Sequence, residues 1–126
     1  MIIFDSNVWI AGYNKDDTLH EKAAELYFSL EKEPIYVPEY IWIEVSTVLE
    51  QKASHQAGRG FLDVIEFGEN IHMLYFTKEE AQEFVEFYRS SAPKGLSFVD
   101  STLLLLSKSY RIYTFDAQLE KVIAKR

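Results

Sequence analysis

The chain has 126 residues and contains no cysteine. Its composition therefore excludes disulfide frameworks, cysteine-ligated zinc, iron–sulfur clusters and thiol nucleophiles. Because 48% of the residues are hydrophobic and 15% are aromatic, the chain has enough apolar side chains for one buried core. Two separate domains would each approach the size at which disulfides or metals are needed, so we expect one domain spanning residues 1–126.

Long apolar runs are also absent. The longest one, residues 103–106 with its flanks, is bounded by Asp100 and Lys108 and is much shorter than the ~20 residues of a membrane span. Residues 1–5 lack the basic segment and the cleavage site of a secretory signal. We therefore expect a soluble, cytoplasmic protein.

Positive charge is scarce, since 13 Lys and Arg stand against 20 Asp and Glu, for a formal net charge of -7. We therefore do not expect the extended basic surface with which proteins bind nucleic acid non-specifically. An acidic site can still meet phosphate through bound cations, because a metal ion reverses the local charge.

Several familiar catalytic patterns are missing as well. His20, His55 and His72 show no metal-ligand spacing, and we interpret them as surface or structural residues. The chain has no G-x-S-x-G turn for a serine nucleophile and no G-x-x-x-x-G-K-S/T loop for a nucleotide. Serine-hydrolase and nucleotide-driven chemistry thus find no support.

What the chain does contain is an alternation of strand and helix patterns. Apolar runs predict strands at residues 1–4, 35–37, 71–76 and 111–115. Periodicity and capping residues predict helices that begin at residues 5–7 and at residue 116, and others over residues 18–34, 38–53, 55–68, 77–89 and 97–110. This alternation is typical of an α/β fold with a central, mostly parallel sheet of four to five short strands, flanked by helices on both faces.

Four acidic residues stand beside apolar segments, where acids are rare unless they are paired or bind a metal. Asp5 and Asp116 follow predicted strands, and Asp100 falls in the first turn of a predicted helix. Ligands of open α/β sheets bind beyond the carboxyl ends of the strands, where these residues are expected. Glu44 shares a helix face with Tyr40 and should point inward or along the rim of the core.

Each of these acids also has a structural interpretation. Asp5 and Asp116 could be N-caps, Ser97 with Asp100 fits a capping box, and Glu44 could extend from the rim into water. If the four acids converge instead, their repulsion requires a cation, and an all-oxygen ligand set favours Mg²⁺ or Mn²⁺. Such an ion activates water and neutralises a leaving oxygen, which predicts phosphodiester hydrolysis.

The segments that carry these acids resemble those of PIN-domain nucleases, and the compact chain is similar to the VapC-type toxins of bacterial and archaeal toxin–antitoxin pairs. The matching segments are IIFDSNVW at residues 2–9, Glu44, GLSFVDS at residues 95–101 and YTFD at residues 113–116. Their order and spacing match over essentially the whole chain. The family commonly has alanine where Ser101 stands.

The resemblance implies a Mg²⁺- or Mn²⁺-dependent endoribonuclease that cuts single-stranded regions of RNA. Its catalytic, metal-binding acids would be Asp5, Glu44, Asp100 and Asp116. Ser6 or Asn7 would order the first acid, and Thr114 would support the last one. The resemblance also implies a homodimer and inhibition by a cognate antitoxin, a segment of which enters the active-site groove.

Other residues and other functions stay open at this point. Lys94 and Lys15 could contact RNA phosphates, although loop solubility is the simpler explanation. Trp9 and Tyr13 could stack on unpaired bases, and core packing or a dimer contact is the alternative for Trp9. The competing functions are a catalytically silent PIN-like module that binds RNA or protein, and a phosphoryl-transfer domain with a phosphate-accepting aspartate.

Overall fold

The computed structural model describes residues 1–126, which form four strands and seven helices. The strands are β1 (Ile2–Phe4), β2 (Ile35–Pro38), β3 (Ile71–Leu74) and β4 (Arg111–Tyr113). The helices are α1 (Ser6–Tyr13), α2 (His20–Ser29), α3 (Glu39–Lys52), α4 (His55–Phe67), α5 (Lys78–Ser90), α6 (Phe98–Leu106) and α7 (Ala117–Ala124). A helix with the length and apolar character of a membrane span is not among them.

The strands form one parallel sheet in the order β3-β2-β1-β4. Ile2 of β1 aligns with Ile35 of β2 on one side and with Arg111 of β4 on the other. All three residues of β1 are fully buried, so both faces of this interior strand are covered. An interior parallel strand needs apolar side chains at successive positions, which explains the unbroken apolar run of β1. The predicted α/β fold with a central parallel sheet is confirmed, with four strands.

Some elements end earlier than predicted, for reasons that lie in the backbone hydrogen bonds. The helix predicted to reach residue 110 stops at Leu106, because the chain turns at residues 107–109 so that the Arg111 amide can bond the Met1 carbonyl oxygen and begin β4. β3 ends at Leu74, two residues before its predicted end. Its partner in β2 at that point is Pro38, which has no amide to continue the ladder.

The core lies between the sheet and helices α1, α3 and α4, and Leu103 of α6 and Leu119 of α7 also contribute to it. Trp9 of α1 and Phe61 of α4 are both buried and pack edge to face with ring centres 5.3 Å apart. Trp9 is therefore a core residue, which confirms the core-packing interpretation over base stacking. α4 is continuous despite its glycines, and Gly58 allows it to approach α3 because a Cβ there would lie 3.2 Å from the Ser46 carbonyl oxygen.

Helix starts follow the predicted capping residues. Thr77 and Glu80 form a complete capping box, with hydrogen bonds of 3.1 Å from the Glu80 amide and 2.9 Å from the Thr77 amide. Pro38 directly precedes α3, where the absence of its amide proton costs little. Local signals and tertiary packing thus favour the same helix boundaries at these two positions.

We expect Phe61→Ala to lower the free energy of unfolding by about 3–5 kcal/mol, because a fully buried ring is lost and a cavity remains. The matched control is Phe67→Ala on the same helix, whose side chain is 75% exposed. Urea unfolding followed by circular dichroism measures both variants. Equal losses in the two variants would contradict this placement of the core.

Candidate active site

The acids that follow the strands lie at one edge of the sheet. β1 and β4 are neighbouring parallel strands, so Asp5 and Thr114 leave the sheet side by side. The Asp5 amide donates to the Tyr113 carbonyl oxygen at 2.8 Å, which closes the pairing of the two strands. This is the carboxyl edge, where open α/β sheets bind their ligands.

Asp5 is the one acid of the chain that is buried, with 6% of its surface exposed. Its Oδ1 accepts the Ser6 amide at 2.7 Å, and its Oδ2 accepts the Thr114 hydroxyl at 2.8 Å. Burial raises the pKa of Asp5, the two hydrogen bonds lower it in part, and the charges of Asp100 and Glu44 raise it again. Ser6 thus supports the first acid through its backbone, while its own hydroxyl is buried without a partner.

Thr114 connects the end of β4 to Asp5. Besides donating to Asp5, its hydroxyl accepts the Asn7 side-chain amide at 3.3 Å and the Asp116 backbone amide at 3.0 Å. The side-chain oxygen of Asn7 accepts the Phe115 amide at 3.1 Å, which explains why β4 ends before residue 115. Thr114 therefore bonds the Asp5 carboxylate and the Asp116 backbone directly. Asn7 bonds Thr114 and so supports Asp5 indirectly.

Glu44 and Asp100 approach Asp5 from two different helices. Glu44 on α3 is exposed, so the inward orientation is wrong and the rim orientation is confirmed. Asp100 is half-buried in the first turn of α6, and its amide donates to the Ser97 hydroxyl at 3.1 Å. Only this half of the predicted capping box is formed, so the cap does not use the Asp100 carboxylate.

Asp116 has a different environment, because it caps α7. Its Oδ1 accepts the Leu119 amide at 3.1 Å. Asp116 is linked to Asp5 through Thr114: the Asp116 amide donates to the Thr114 hydroxyl, and that hydroxyl donates to the Asp5 carboxylate. Glu44 and Asp100 therefore each act on the charge of Asp5, whereas Asp116 is separated from Asp5 by the Thr114 side chain.

Tyr40 belongs to this site, although the sequence placed it only on the helix face of Glu44. Its hydroxyl lies 2.5 Å from Thr102 Oγ1, and the Thr102 hydroxyl donates to the Val99 carbonyl oxygen at 2.7 Å. Since the Thr102 proton is used in that way, Tyr40 is the donor between the two side chains. Burial raises the pKa of Tyr40, the Thr102 bond lowers it in part, and the three nearby acids raise it further. The phenol therefore stays protonated beside the acids.

The donor chemistry of these acids fits a hard divalent cation. All their ligand atoms are carboxylate oxygens, which Mg²⁺ and Mn²⁺ accept. No group of three acidic or histidine side chains is arranged so that it could hold one ion by itself. Mg²⁺ usually binds one or two carboxylates and keeps several waters, so a full protein cage is not required. The raised pKa of Asp5 is the observation that fits a nearby cation, because a cation would offset both burial and repulsion.

The two lysines predicted to contact RNA lie at different ends of the molecule. Lys94 is exposed in the loop before α6. That loop packs on α7, because a Cβ at Gly95 would lie 3.1 Å from Nε2 of Gln118. Lys15 lies next to Ala53, beyond the far end of α3 from the acids. Lys15 is therefore not part of this site, since its loop follows α1 away from the sheet edge.

A lysine that the sequence analysis did not single out lies beside Thr114. Lys22 of α2 places its Nζ 4.9 Å from the ring centre of Phe115. Both residues line a groove of about 420 Å³ together with Thr114. Nothing in the local sequence marks Lys22, because its neighbourhood depends on how α2 packs beside the end of β4.

Comparisons with known proteins agree with this architecture. A family model described as PIN domain matches residues 2–125. The chain is similar to the solved structure of VapC20 from Mycobacterium tuberculosis, a sarcin–ricin loop cleaving toxin, with a TM-score of 0.80 and 23% identity over 96% of this chain and 94% of that chain. Curated protein sequences yield no match. At this level of identity the structural likeness shows a shared fold.

We expect the stability of the metal-free wild type to decrease between pH 3.8 and neutral pH relative to that of Asp5→Asn, in which residue 5 cannot ionise. Folding raises the pKa of Asp5 above 3.8. Between pH 3.8 and the folded-state pKa, the folded state therefore binds more protons than the unfolded state. Wild-type stability therefore falls as the pH rises from 3.8 through the folded-state pKa, and the loss persists at neutral pH.

Thermal unfolding in EDTA from about pH 3 to pH 8 measures this difference, because both states of the carboxyl are sampled in that range. Asp63→Asn, an exposed acid on α4, serves as the control for the loss of one surface charge. An equal decrease in Tm with rising pH for Asp5→Asn and wild type would contradict the raised pKa of Asp5.

Proposed function

The chain belongs to the PIN domain family, and from this premise we propose that it is a metal-dependent endoribonuclease that hydrolyses phosphodiester bonds in single-stranded regions of RNA. The observation that carries the proposal is the buried Asp5, which two hydrogen bonds hold in place while Glu44 and Asp100 oppose its charge. Burial and the two neighbouring charges disfavour the ionised form of Asp5, and binding of a cation would offset both effects.

Each residue has an assigned role in this proposal. Asp5, together with Glu44 or Asp100 and with waters, would hold Mg²⁺ or Mn²⁺. The other acid and Asp116, at the N-terminus of α7, would add negative charge around the ion. When bound, the ion lowers the pKa of a water and neutralises the leaving oxygen. The Ser6 amide and the Thr114 hydroxyl keep the Asp5 oxygens in one orientation, and Asn7 fixes Thr114.

Two lysine side chains are candidates for contacts with the RNA backbone. Lys94 is exposed in the loop that leads into Asp100, and Lys22 lines the groove that contains Thr114. In a chain of net charge -7, a few local cations can still orient phosphate next to metal-bound acids. An extended basic or aromatic surface is not needed when a few lysines orient the phosphate locally.

We further propose that the protein is the toxin of a type II toxin–antitoxin pair, acting in the cytoplasm as a homodimer. The shared fold with VapC20, which cleaves the sarcin–ricin loop, supports an RNA loop as substrate. A cognate antitoxin would cover the acidic site until it is released. Large apolar side chains at the surface supply area for protein partners, among them Phe28 at 76% and Phe67 at 75% exposure.

We expect the purified protein to cut an RNA hairpin that carries the sarcin–ricin loop in Mn²⁺ or Mg²⁺, and EDTA to stop the reaction. Asp5→Asn and Asp100→Asn should lower the rate by at least about 100-fold, because loss of a direct ligand exceeds the effect of outer-shell changes. Gel electrophoresis of end-labelled RNA measures the rate and maps the cut.

The controls separate nuclease activity from binding. Asp63→Asn should cleave like wild type, and the same RNA strand annealed to its complement should resist cleavage. Total cellular RNA tests for other targets. Intact RNA in every metal-containing reaction, together with measurable Mn²⁺ binding, would contradict the nuclease and favour the catalytically silent module.

We expect Asp116→Asn to have a smaller effect on cleavage, roughly 10-fold, because the Asp116 carboxylate is engaged at the helix cap. Asparagine caps helices as well as aspartate does, so the variant removes the charge and keeps α7 intact. Circular dichroism verifies the helix, and the hairpin assay measures the rate. Unchanged cleavage would restrict Asp116 to its structural role.

A further inference from the structure

The Tyr40 hydroxyl makes the only hydrogen bond between α3 and α6. Tyr40 stands one helical turn before Glu44 on α3, and Thr102 stands two residues after Asp100 on α6. The two helices that carry these acids are thus joined within about one helical turn of each acid. Neither acid uses its own side chain in a hydrogen bond, so their relative position depends on how the helices are held.

Both members of this link are themselves fixed. Thr102 is 5% exposed, and its proton is committed to the Val99 carbonyl oxygen of its own helix. The Tyr40 ring stacks on Phe76, with ring centres 6.3 Å apart. The acceptor lone pair of Thr102 therefore has a defined direction, and Tyr40 approaches it from a defined position.

We propose that Tyr40 and Thr102 form a positioning pair, which sets the separation of the Glu44 and Asp100 carboxylates and thereby the affinity of the site for a divalent cation. The inference rests on the proposed metal-dependent function. Without an ion, like charges on α3 and α6 repel each other, and the hydrogen bond opposes their separation. With an ion, the same bond means that the ligands are already in place, so less ordering free energy is lost on binding.

A purely structural role would have a different consequence. A buried tyrosine that only stabilises the fold would change the free energy of unfolding, and the affinity for metal would stay the same. Tyr27 provides the comparison, because this half-buried residue donates its hydroxyl to the Val8 carbonyl oxygen at 2.9 Å and joins α2 to α1 without touching the acids.

The experiment is a titration of the full chain with MnCl₂ in which the unfolding temperature is recorded at each concentration. An ion that binds only the folded state raises this temperature, and the dependence on concentration gives the apparent affinity. Asp5→Asn defines the part of the shift that belongs to this site. The hairpin cleavage rate is measured over the same Mn²⁺ range.

We expect Tyr40→Phe and Thr102→Val each to raise the Mn²⁺ concentration for half-maximal effect by about 10-fold, as outer-shell changes around metals do. The double variant should be no weaker than the weaker single variant, because one interaction is removed in either case. The Mn²⁺ midpoint of the hairpin cleavage rate should shift by the same factor as the midpoint of the unfolding temperature. Thr102→Ser keeps the hydroxyl and should restore the wild-type affinity, whereas Tyr27→Phe should lower the unfolding temperature alone.

An unchanged Mn²⁺ midpoint in Tyr40→Phe would overturn the positioning pair, and so would an equal shift in Tyr27→Phe. If wild type binds Mn²⁺ but leaves RNA intact, the nuclease proposal fails. The Mn²⁺ midpoints of the variants still test whether Tyr40 and Thr102 form a positioning pair. If wild type binds no Mn²⁺, both proposals are overturned.

Discussion

The parallel pairing of β1 with β4 is the interaction on which the candidate site depends. These strands are far apart in sequence, yet their pairing places Thr114 against Asp5, 109 residues earlier in the chain. The Thr114 hydroxyl then joins Asp5, Asn7 and the Asp116 backbone in one network. Because β1 is fully buried, this edge of the sheet is anchored in the hydrophobic core.

The same arrangement carries an electrostatic conflict. Asp5 is taken out of water and faces two further negative charges, so its ionised form is disfavoured in the folded protein. The apolar core must offset this conflict, and a cation would relieve it. Proteins commonly keep such destabilising groups where function requires them.

Structural and functional roles coincide at the sheet edge. In a parallel α/β fold a helix begins shortly after each strand ends, so capping residues and ligand-binding residues compete for the same positions. Asp5 caps α1 and also faces the acids, whereas Asp116 is occupied by the cap of α7. The cap and site interpretations of an acid are therefore not exclusive, and the contacts of its carboxylate decide between them.

The sequence by itself determined the element order, the parallel α/β class and the positions of Asp5, Asp100 and Asp116 at strand ends and helix starts, because periodicity, caps and strand length are local properties. Tertiary structure decided where β3, β4 and α6 end, since those ends depend on partners distant in sequence. It also decided that Glu44 lies on the rim, that Lys15 lies away from the acids and that Tyr40 bonds Thr102. The direction of a side chain and the identity of its partner follow from how helices pack around the sheet, and no local pattern encodes that geometry.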